Sequence, residues 1–213
     1  MDVIRRMRTA QHTAQHKVTH QRRSVVGQSE VKIEGKVVLG PVPIHFNSRM
    51  NGVKELSNFA PCVIDGRSTT VEHEYQALKM EIVFGDLVYA NHIRSLATPQ
   101  EAKKAGSMGA WVTWMKTRRL SLSPSVTKEA LKRQFKEAIK TKWIPQSMFI
   151  MRGLLEKKFN PVTNPDMWHF LDSTENRPLH EVGRPSVWTK SGQDMLGKLM
   201  VEVRFYYRHV VIA

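Results

Sequence analysis

The segment at residues 71–82 constrains the fold most, because its apolar side chains recur at the spacing of an α-helix. They lie at offsets of 0, 4, 7 and 11, which is one helical face: Val71, Tyr75, Leu78 and Ile82. A neighbouring polar stripe consists of Glu72, Gln76 and Lys79. Two interpretations stay open for this polar stripe. It is either a solvated helix surface, where such residues commonly pair, or one wall of a chemical site.

The chain just before this helix is predicted to be extended. Residues 61–66 read Pro-Cys-Val-Ile-Asp-Gly, a short β-like run that ends at a turn. Its Cys62 is the only cysteine, which excludes an intrachain disulfide and is typical of a reducing, intracellular compartment. We expect Cys62 to be a small core residue.

Length and composition predict one sizeable core with an extension. The chain has 213 residues, of which 41% are hydrophobic. No apolar run approaches the ~18 residues that a membrane span needs, so we expect no membrane partner. The formal net charge of +14 predicts a polyanionic partner, with nucleic acid as the first candidate.

Residues 1–30 are predicted to be a basic arm in front of a single domain at residues 31–213. Little apolar surface is present in the arm to offset the entropy cost of ordering it. We expect nucleic-acid contacts from Arg5, Arg6 and Arg8. The same composition also fits a mitochondrial transit segment.

Histidines recur every four residues in the arm, as a metal site could use: His12, His16 and His20. No cysteine or acid completes a ligand set with them. The sequence therefore predicts no metal and no cofactor.

A second concentration of positive charge lies at residues 100–160, where fourteen Lys or Arg stand against four acids. Lysines there recur every four residues and define what we call the lysine ridge: Lys128, Lys132, Lys136 and Lys140. The ridge is either a solvated helix face supported by pairs with nearby acids or a contact surface for nucleic-acid phosphates.

The remaining pattern predicts a helix-rich α+β fold with a small sheet or hairpin in its N-terminal part. Residues 31–39 alternate and turn at Gly35, which predicts a hairpin. Thr98 before Pro99, and Ser123 before Pro124, are typical helix starts. Helices are expected at about 70–84, 86–96, 99–108, 125–142, 145–158 and 193–209.

Taken in order, these motifs resemble the NADAR (YbiA-like) family. The resemblance begins with Ser57-Asn58-Phe59 and the helix motif Glu72-His73-x-Tyr75-Gln76-Ala77-x-Lys79. Further landmarks follow, within about residues 44–208: Pro99-x2-Ala102-x3-Gly106, Trp143, Met151-Arg152-x2-Leu155-x2-Lys158-Phe159, Thr174-x4-Leu179-x-Glu181, Trp188 and Gly192-x3-Leu196-Gly197. The resemblance implies a YbiA-like fold and an activity on N-glycosides of ADP-ribose or of ribose phosphates.

Such a reaction breaks the bond from ribose C1′ to a nitrogen. Positive charge develops on the sugar, so a nearby carboxylate stabilises the transition state or activates water. Glu72 is the predicted carboxylate, and Lys79 is an alternative nucleophile that would form a Schiff base with a ring-opened sugar. The residues expected to bind the substrate are Asn58, Phe59, His73, Gln76 and Trp188. For Phe59 and Trp188, core packing is the alternative to stacking on a purine.

The loop at residues 183–198 resembles a phosphate cradle at a helix start, with Lys190 close to any bound anion. The chain departs from the family there. The family usually has an acid at the position of Pro185, a glycine at that of Thr189 and an asparagine at that of Asp194. We still expect Asp194 to lie beside the substrate. A basic residue is also usual where Ser107 stands.

These departures leave two hypotheses of function. In the first, the chain is an N-glycosidase that hydrolyses ADP-ribosylated guanine or a related ribose-phosphate N-glycoside, with Glu181 replacing the carboxylate lost at Pro185. In the second, it is a catalytically eroded subunit of a nucleic-acid-containing assembly, such as a ribosome or virion. The arm and the lysine ridge would then bind the nucleic acid.

Overall fold

The computed structural model describes residues 29–33, 36–118, 126–183 and 194–211. Contacts between Cα atoms divide the chain into two units, residues 1–43 and residues 44–213. In the first unit, β1 (Ser29–Ile33) pairs antiparallel with β2 (Lys36–Gly40), which confirms the predicted hairpin. Its turn at Gly35 and the arm residues Arg5, Arg6 and Arg8 lie outside the described residues, as do the three arm histidines.

The second unit contains two short strand pairs. Here β3 (Ile44–Phe46) is followed by β4 (Pro61–Ile64) and β5 (Arg67–Thr70). The strands β4 and β5 pair antiparallel through Asp65 and Gly66, whose positive φ angles of 51° and 75° suit the twist of a two-residue hairpin. The strand β3 instead pairs in parallel with β6 (Leu179–Glu181). Cys62 on β4 is buried in the core, as expected.

Helices make up most of this unit. In chain order they are α1 (Val71–Phe84), α2 (Leu87–Arg94), α3 (Pro99–Ala105), α4 (Met108–Arg118), α5 (Lys128–Ala138), α6 (Ile144–Lys158), α7 (Pro165–Asp172) and α8 (Met195–Tyr206). A π-helical turn, Ile139–Trp143, joins α5 to α6. The predicted helix-rich α+β class is confirmed. Within the described residues, no helix is long and apolar enough to cross a bilayer.

The helix α1 lies at the centre of the unit, because it packs into two hydrophobic cores. Val71 and Tyr75 belong to a core shared with α6, α7 and α8. Ala77 and Met80 belong to a second core shared with α2, α4 and α5. Residues 71–77 are all buried, so the first two turns have no solvated face. The solvated-surface interpretation is therefore wrong for Glu72 and Gln76.

Most predicted helices are present, but some bounds differ. The helix predicted at 125–142 begins at Lys128, because the Thr127 side chain caps it by accepting a hydrogen bond from the Ala130 N–H. Ser123 and Pro124, the predicted start, lie outside the described residues. The predicted helix at 99–108 ends at Ala105, and a further helix, α4, starts at Met108. The sequence analysis predicted neither α4 nor α7.

Candidate functional site

A cavity of about 1040 Å³ lies beside α1 in the second unit. Six residues that the sequence analysis placed in a site line it: Asn58, Phe59, Glu72, Gln76, Lys79 and Glu181. They come from three separate parts of the chain, namely the segment before β4, the first half of α1, and β6. The structure therefore brings most of the predicted constellation together.

A hydrogen-bonded chain runs along the cavity side of α1. The Gln76 Nε2 donates to Glu72 Oε1 at 2.8 Å, and the Lys79 Nζ donates to Gln76 Oε1. Spacings of three and four residues place these side chains above one another on the helix. The Gln76 amide nitrogen donates one hydrogen bond and the amide oxygen accepts another. Together these two bonds fix the orientation of the amide group.

Gly106 leaves the space that Gln76 occupies. A Cβ atom built on Gly106 would lie 1.9 Å from Gln76 Oε1 and 2.5 Å from Gln76 Cδ. Any side chain there would push Gln76 away from Glu72 and Lys79. The observed position of the Gln76 side chain thus depends on glycine at the end of α3.

Burial changes the proton affinities of both ends of the chain. Burial raises the pKa of Glu72, although the hydrogen bond from Gln76 and the charges of Lys103 and Lys79 oppose that rise. Burial lowers the pKa of Lys79 to about 8, and the negative charge of Glu72 partly opposes that fall. An appreciable fraction of neutral amine is therefore present at Lys79 near neutral pH.

Glu181 supplies a second carboxylate to the cavity. Burial raises its pKa, and the carboxylates of Asp194 and Glu72 raise it further, whereas Lys103 lowers it. The repulsion between the carboxylates of Glu72 and Glu181 is mutual, so ionisation of either one favours the protonated form of the other. The cavity therefore holds two carboxyl groups whose pKa values are both raised.

Asn58 brings a buried carbonyl oxygen to the cavity wall. Its backbone oxygen accepts the Glu72 N–H at 3.0 Å, which ties this segment to the start of α1. The buried Lys158 Nζ holds the same segment by donating to the Ser57 oxygen at 2.7 Å. The Asn58 Oδ1 is buried, and no group in the described ranges donates to it. Such an oxygen is suited to accept a hydrogen bond from a hydroxyl group of a bound molecule.

Aromatic side chains form another part of the wall. Tyr75 and Trp143 meet edge to face with ring centroids 4.9 Å apart, and Phe135 lines the cavity nearby. Ile139 and Trp143 come from the π-helical turn between α5 and α6, where the wider backbone turn redirects side chains. An aromatic wall of this kind accommodates flat or apolar parts of a ligand.

His73 and Asp194, both predicted to bind the substrate, do not line the cavity. The His73 ring lies between Thr70 Oγ1, at 2.8 Å, and the Leu96 carbonyl oxygen, at 3.1 Å. Since a carbonyl only accepts, His73 Nε2 carries a proton there, and both ring nitrogens are used within the fold. Asp194 caps α8, as described next. Trp188 and Lys190 lie outside the described residues.

Asp194 holds the start of α8 against β6. Its Oδ1 accepts the backbone N–H of Glu181 at 3.2 Å and that of Gly197 at 3.4 Å, and its Oδ2 meets His180 Nδ1 at 2.7 Å. The residue adopts a left-handed φ of 31°, which Asp tolerates better than most residues. The carboxylate thus positions Glu181 from behind and does not line the cavity.

Sequence reasoning missed two cations and several other lining residues. Arg49 and Lys103 both line the cavity, together with Tyr75, Phe135 and Trp143. In the sequence, Lys103 looks the same as Lys104, which is also exposed but does not line the cavity. Only the position of α3 separates them.

The lysine ridge lies on α5 and the start of the π-helical turn. Lys128, Lys136 and Lys140 are exposed, and Lys132 pairs with Glu129 at 3.4 Å. The predicted contact with nucleic acid stays a prediction. The described ranges contain no cluster of three His, Cys, Asp or Glu that could hold a metal ion.

The fold and this cavity define a helix-rich α+β protein with a buried and a partly buried carboxylate at one site. No family model and no curated protein matches the chain. Among solved structures, the chain is similar to the NMR structure of the E. coli protein YbiA, with a TM-score of 0.51 and 25% sequence identity. The similarity covers 78% of this chain and 85% of that chain. It supports the NADAR-like fold expected from the sequence.

Proposed function

We propose that the protein hydrolyses a ribosyl N-glycosidic bond, with ADP-ribosylated guanine or a related ribose-phosphate N-glycoside as substrate. The observation that carries the proposal is the presence of Glu72 and Glu181 in one cavity, where their mutual repulsion favours one ionised and one protonated carboxyl group. Such a pair can supply a base and an acid to one reaction. The YbiA-like fold adds support.

In this mechanism the two carboxyl groups have different roles, one at the sugar and one at the leaving nitrogen. Glu72, hydrogen-bonded by Gln76 and close to two lysines, acts as the carboxylate that stabilises the developing positive charge at C1′ or activates water. Glu181 acts as the acid that protonates the leaving nitrogen. Asn58 Oδ1 accepts a ribose hydroxyl, and the aromatic wall receives the base.

Lys79 offers an alternative route through the same cavity. A neutral amine can attack C1′ and displace the nitrogen of the base, which leaves with a proton; opening of the ribose ring then gives a Schiff base, which water hydrolyses. The lowered pKa of Lys79, about 8, supplies the neutral form. In the hydrolytic route, Lys79 instead orients Gln76 and balances the charge of Glu72.

The test is hydrolysis of ADP-ribosylated guanine by the purified protein, followed as release of ADP-ribose. The Glu72→Gln variant should lose at least about a hundredfold in rate, since it removes the charge at C1′. Glu137→Gln, an exposed glutamate on α5, is the matched control and should keep the wild-type rate. Equal rates for Glu72→Gln and wild type would refute the proposed role of Glu72.

A second candidate function is favoured by the exposed lysines of α5. Here the protein is a subunit of a nucleic-acid-containing assembly, and the cavity has lost its chemistry. Salt-dependent binding to RNA or DNA, with no release of ADP-ribose from any tested substrate, would support this function over the first.

A further inference from the structure

Two cations line the cavity without a carboxylate partner in the described ranges. Arg49 lies in the turn after β3, where its backbone N–H donates to Asn47 Oδ1 at 2.8 Å, and its side chain is exposed. Lys103 lies on α3 and is also exposed. Neither forms an ion pair within the described residues, whereas Arg94 bonds to both Glu74 and Glu81.

We propose that Arg49 and Lys103 form an anion subsite that binds the phosphate or pyrophosphate group of the substrate, next to its ribose. The proposal rests on the proposed function in taking this cavity as the substrate site. It differs from the expectation drawn from the sequence, which placed the phosphate at the loop of residues 183–198.

The position of Lys103 argues for a phosphate close to the reacting sugar. Its Nζ lies 5.5 Å from the centroid of the Phe59 ring, a contact that holds the ammonium in place and leaves its N–H donors free. The charge of Lys103 also acts on both Glu72 and Glu181. A group bound to Lys103 therefore lies near both carboxylates, as a phosphate on the same ribose would.

Charge balance gives an independent reason for this subsite. A phosphorylated sugar entering the cavity meets Glu72 and Glu181, which repel it when ionised. The amine of Lys79 is hydrogen-bonded to Gln76. Among the described lining residues, Arg49 and Lys103 are the remaining cations that can offset the repulsion between the phosphate and the two carboxylates. The Arg49 guanidinium can also bind two oxygens of one phosphate at the same time.

The substrate class follows from this arrangement. The subsite selects a ribose that carries a phosphate or a pyrophosphate and rejects the corresponding unphosphorylated nucleoside. Binding of ribose 5-phosphate, compared with ribose, isolates this selection from any catalytic step.

The experiment is calorimetric titration of the full chain with ribose 5-phosphate and with ribose. Wild type should bind ribose 5-phosphate and bind ribose at least about tenfold more weakly, since charge-assisted hydrogen bonds are lost. Arg49→Ala and Lys103→Ala should each weaken ribose 5-phosphate binding about tenfold, and Lys103→Arg should restore it. Lys104→Ala, an exposed neighbour on α3, is the matched control and should bind as wild type.

Three outcomes decide the proposal. Equal binding of the two sugars, or unchanged binding in Arg49→Ala and Lys103→Ala, overturns it. Selective binding that both variants lose, in a protein that hydrolyses nothing, supports the subsite and refutes the proposed activity. Hydrolysis with an unchanged KM in both variants supports the activity and refutes the subsite. Thermal unfolding curves that match wild type show that the variants are folded.

Discussion

At the scale of single residues, Gly106 determines where the Gln76 side chain can lie. Its backbone φ of −66° suits any residue, so only the contact with Gln76 opposes a side chain. Gly106→Ala should displace Gln76 and lower the hydrolysis rate by about tenfold or more. Gly109→Ala is the control, because no atom lies within 4 Å of a Cβ there. A Gly106→Ala enzyme with full activity would show that the hydrogen-bonded chain is dispensable.

Lys79 gives a second prediction at this scale, because a Schiff base can be trapped. If the amine attacks the sugar, borohydride should join substrate to Lys79 irreversibly. The yield should rise as pH increases through about 8, where the lysine loses its proton. Mass spectrometry of peptides would locate the adduct. If the protein is active but no adduct forms at Lys79, the Schiff-base route is excluded and the hydrolytic route through Glu72 remains.

The proximity of Glu72, Gln76 and Lys79 could be predicted from the sequence, because they lie on one helix, where spacing alone determines neighbours. His73 was placed with them, although its ring is bonded to Thr70 and the Leu96 carbonyl. Because α1 is buried on all faces at its start, spacing could not separate the cavity side from the packed side. Arg49 and Lys103 depend on how distant elements pack, which spacing does not encode.

At the scale of elements, the junction of β6 and α8 is held by Asp194. Asp194→Ala removes the cap of α8 and the contact with His180, and should lower the free energy of unfolding by about 1–2 kcal/mol. It should also slow hydrolysis, since Glu181 loses the acceptor of its N–H. Asp194→Asn keeps an oxygen for both N–H groups and should recover most of the stability.

Denaturant unfolding would measure both variants. Thr127→Ala, which removes the cap of α5 away from the carboxylates, is the matched control. It should cost similar stability but leave the rate unchanged. An Asp194→Ala enzyme that loses stability and keeps its rate would show that Asp194 serves only the helix.

Clear end signals made the start of one helix predictable from the sequence. The start of α3 was recognised because Thr98 and Glu101 form a reciprocal cap with Pro99 between them. The helix α4 escaped prediction although the Ser107 hydroxyl caps it by accepting the Ala110 N–H at 3.3 Å, because Trp, Thr and Gly dominate its first turns. The π-helical turn after α5 carries no sequence signal at all, yet it brings Trp143 to the cavity.

At the scale of the whole molecule, the net charge of +14 predicts binding to nucleic acid. A variant with all four ridge lysines replaced by glutamine should bind nucleic acid with a weaker salt dependence. The slope of log affinity against log salt should decrease in magnitude by up to about 3 to 4, because each phosphate contact contributes about 0.9 to it. A control replaces four exposed lysines elsewhere, Lys54, Lys104, Lys116 and Lys198, for the same loss of charge. Equal slopes for the two variants would assign the binding to total charge.

The parallel pairing of β3 with β6 joins the start of the second unit to a strand far along the chain and so determines when the cavity is complete. During synthesis, α1 leaves the ribosome long before β6 does. The pairing must then close a long loop, a slow event in folding. A nascent chain therefore carries Glu72, Gln76 and Lys79 without Glu181. Any reaction that needs both carboxylates would therefore begin only after translation has passed β6.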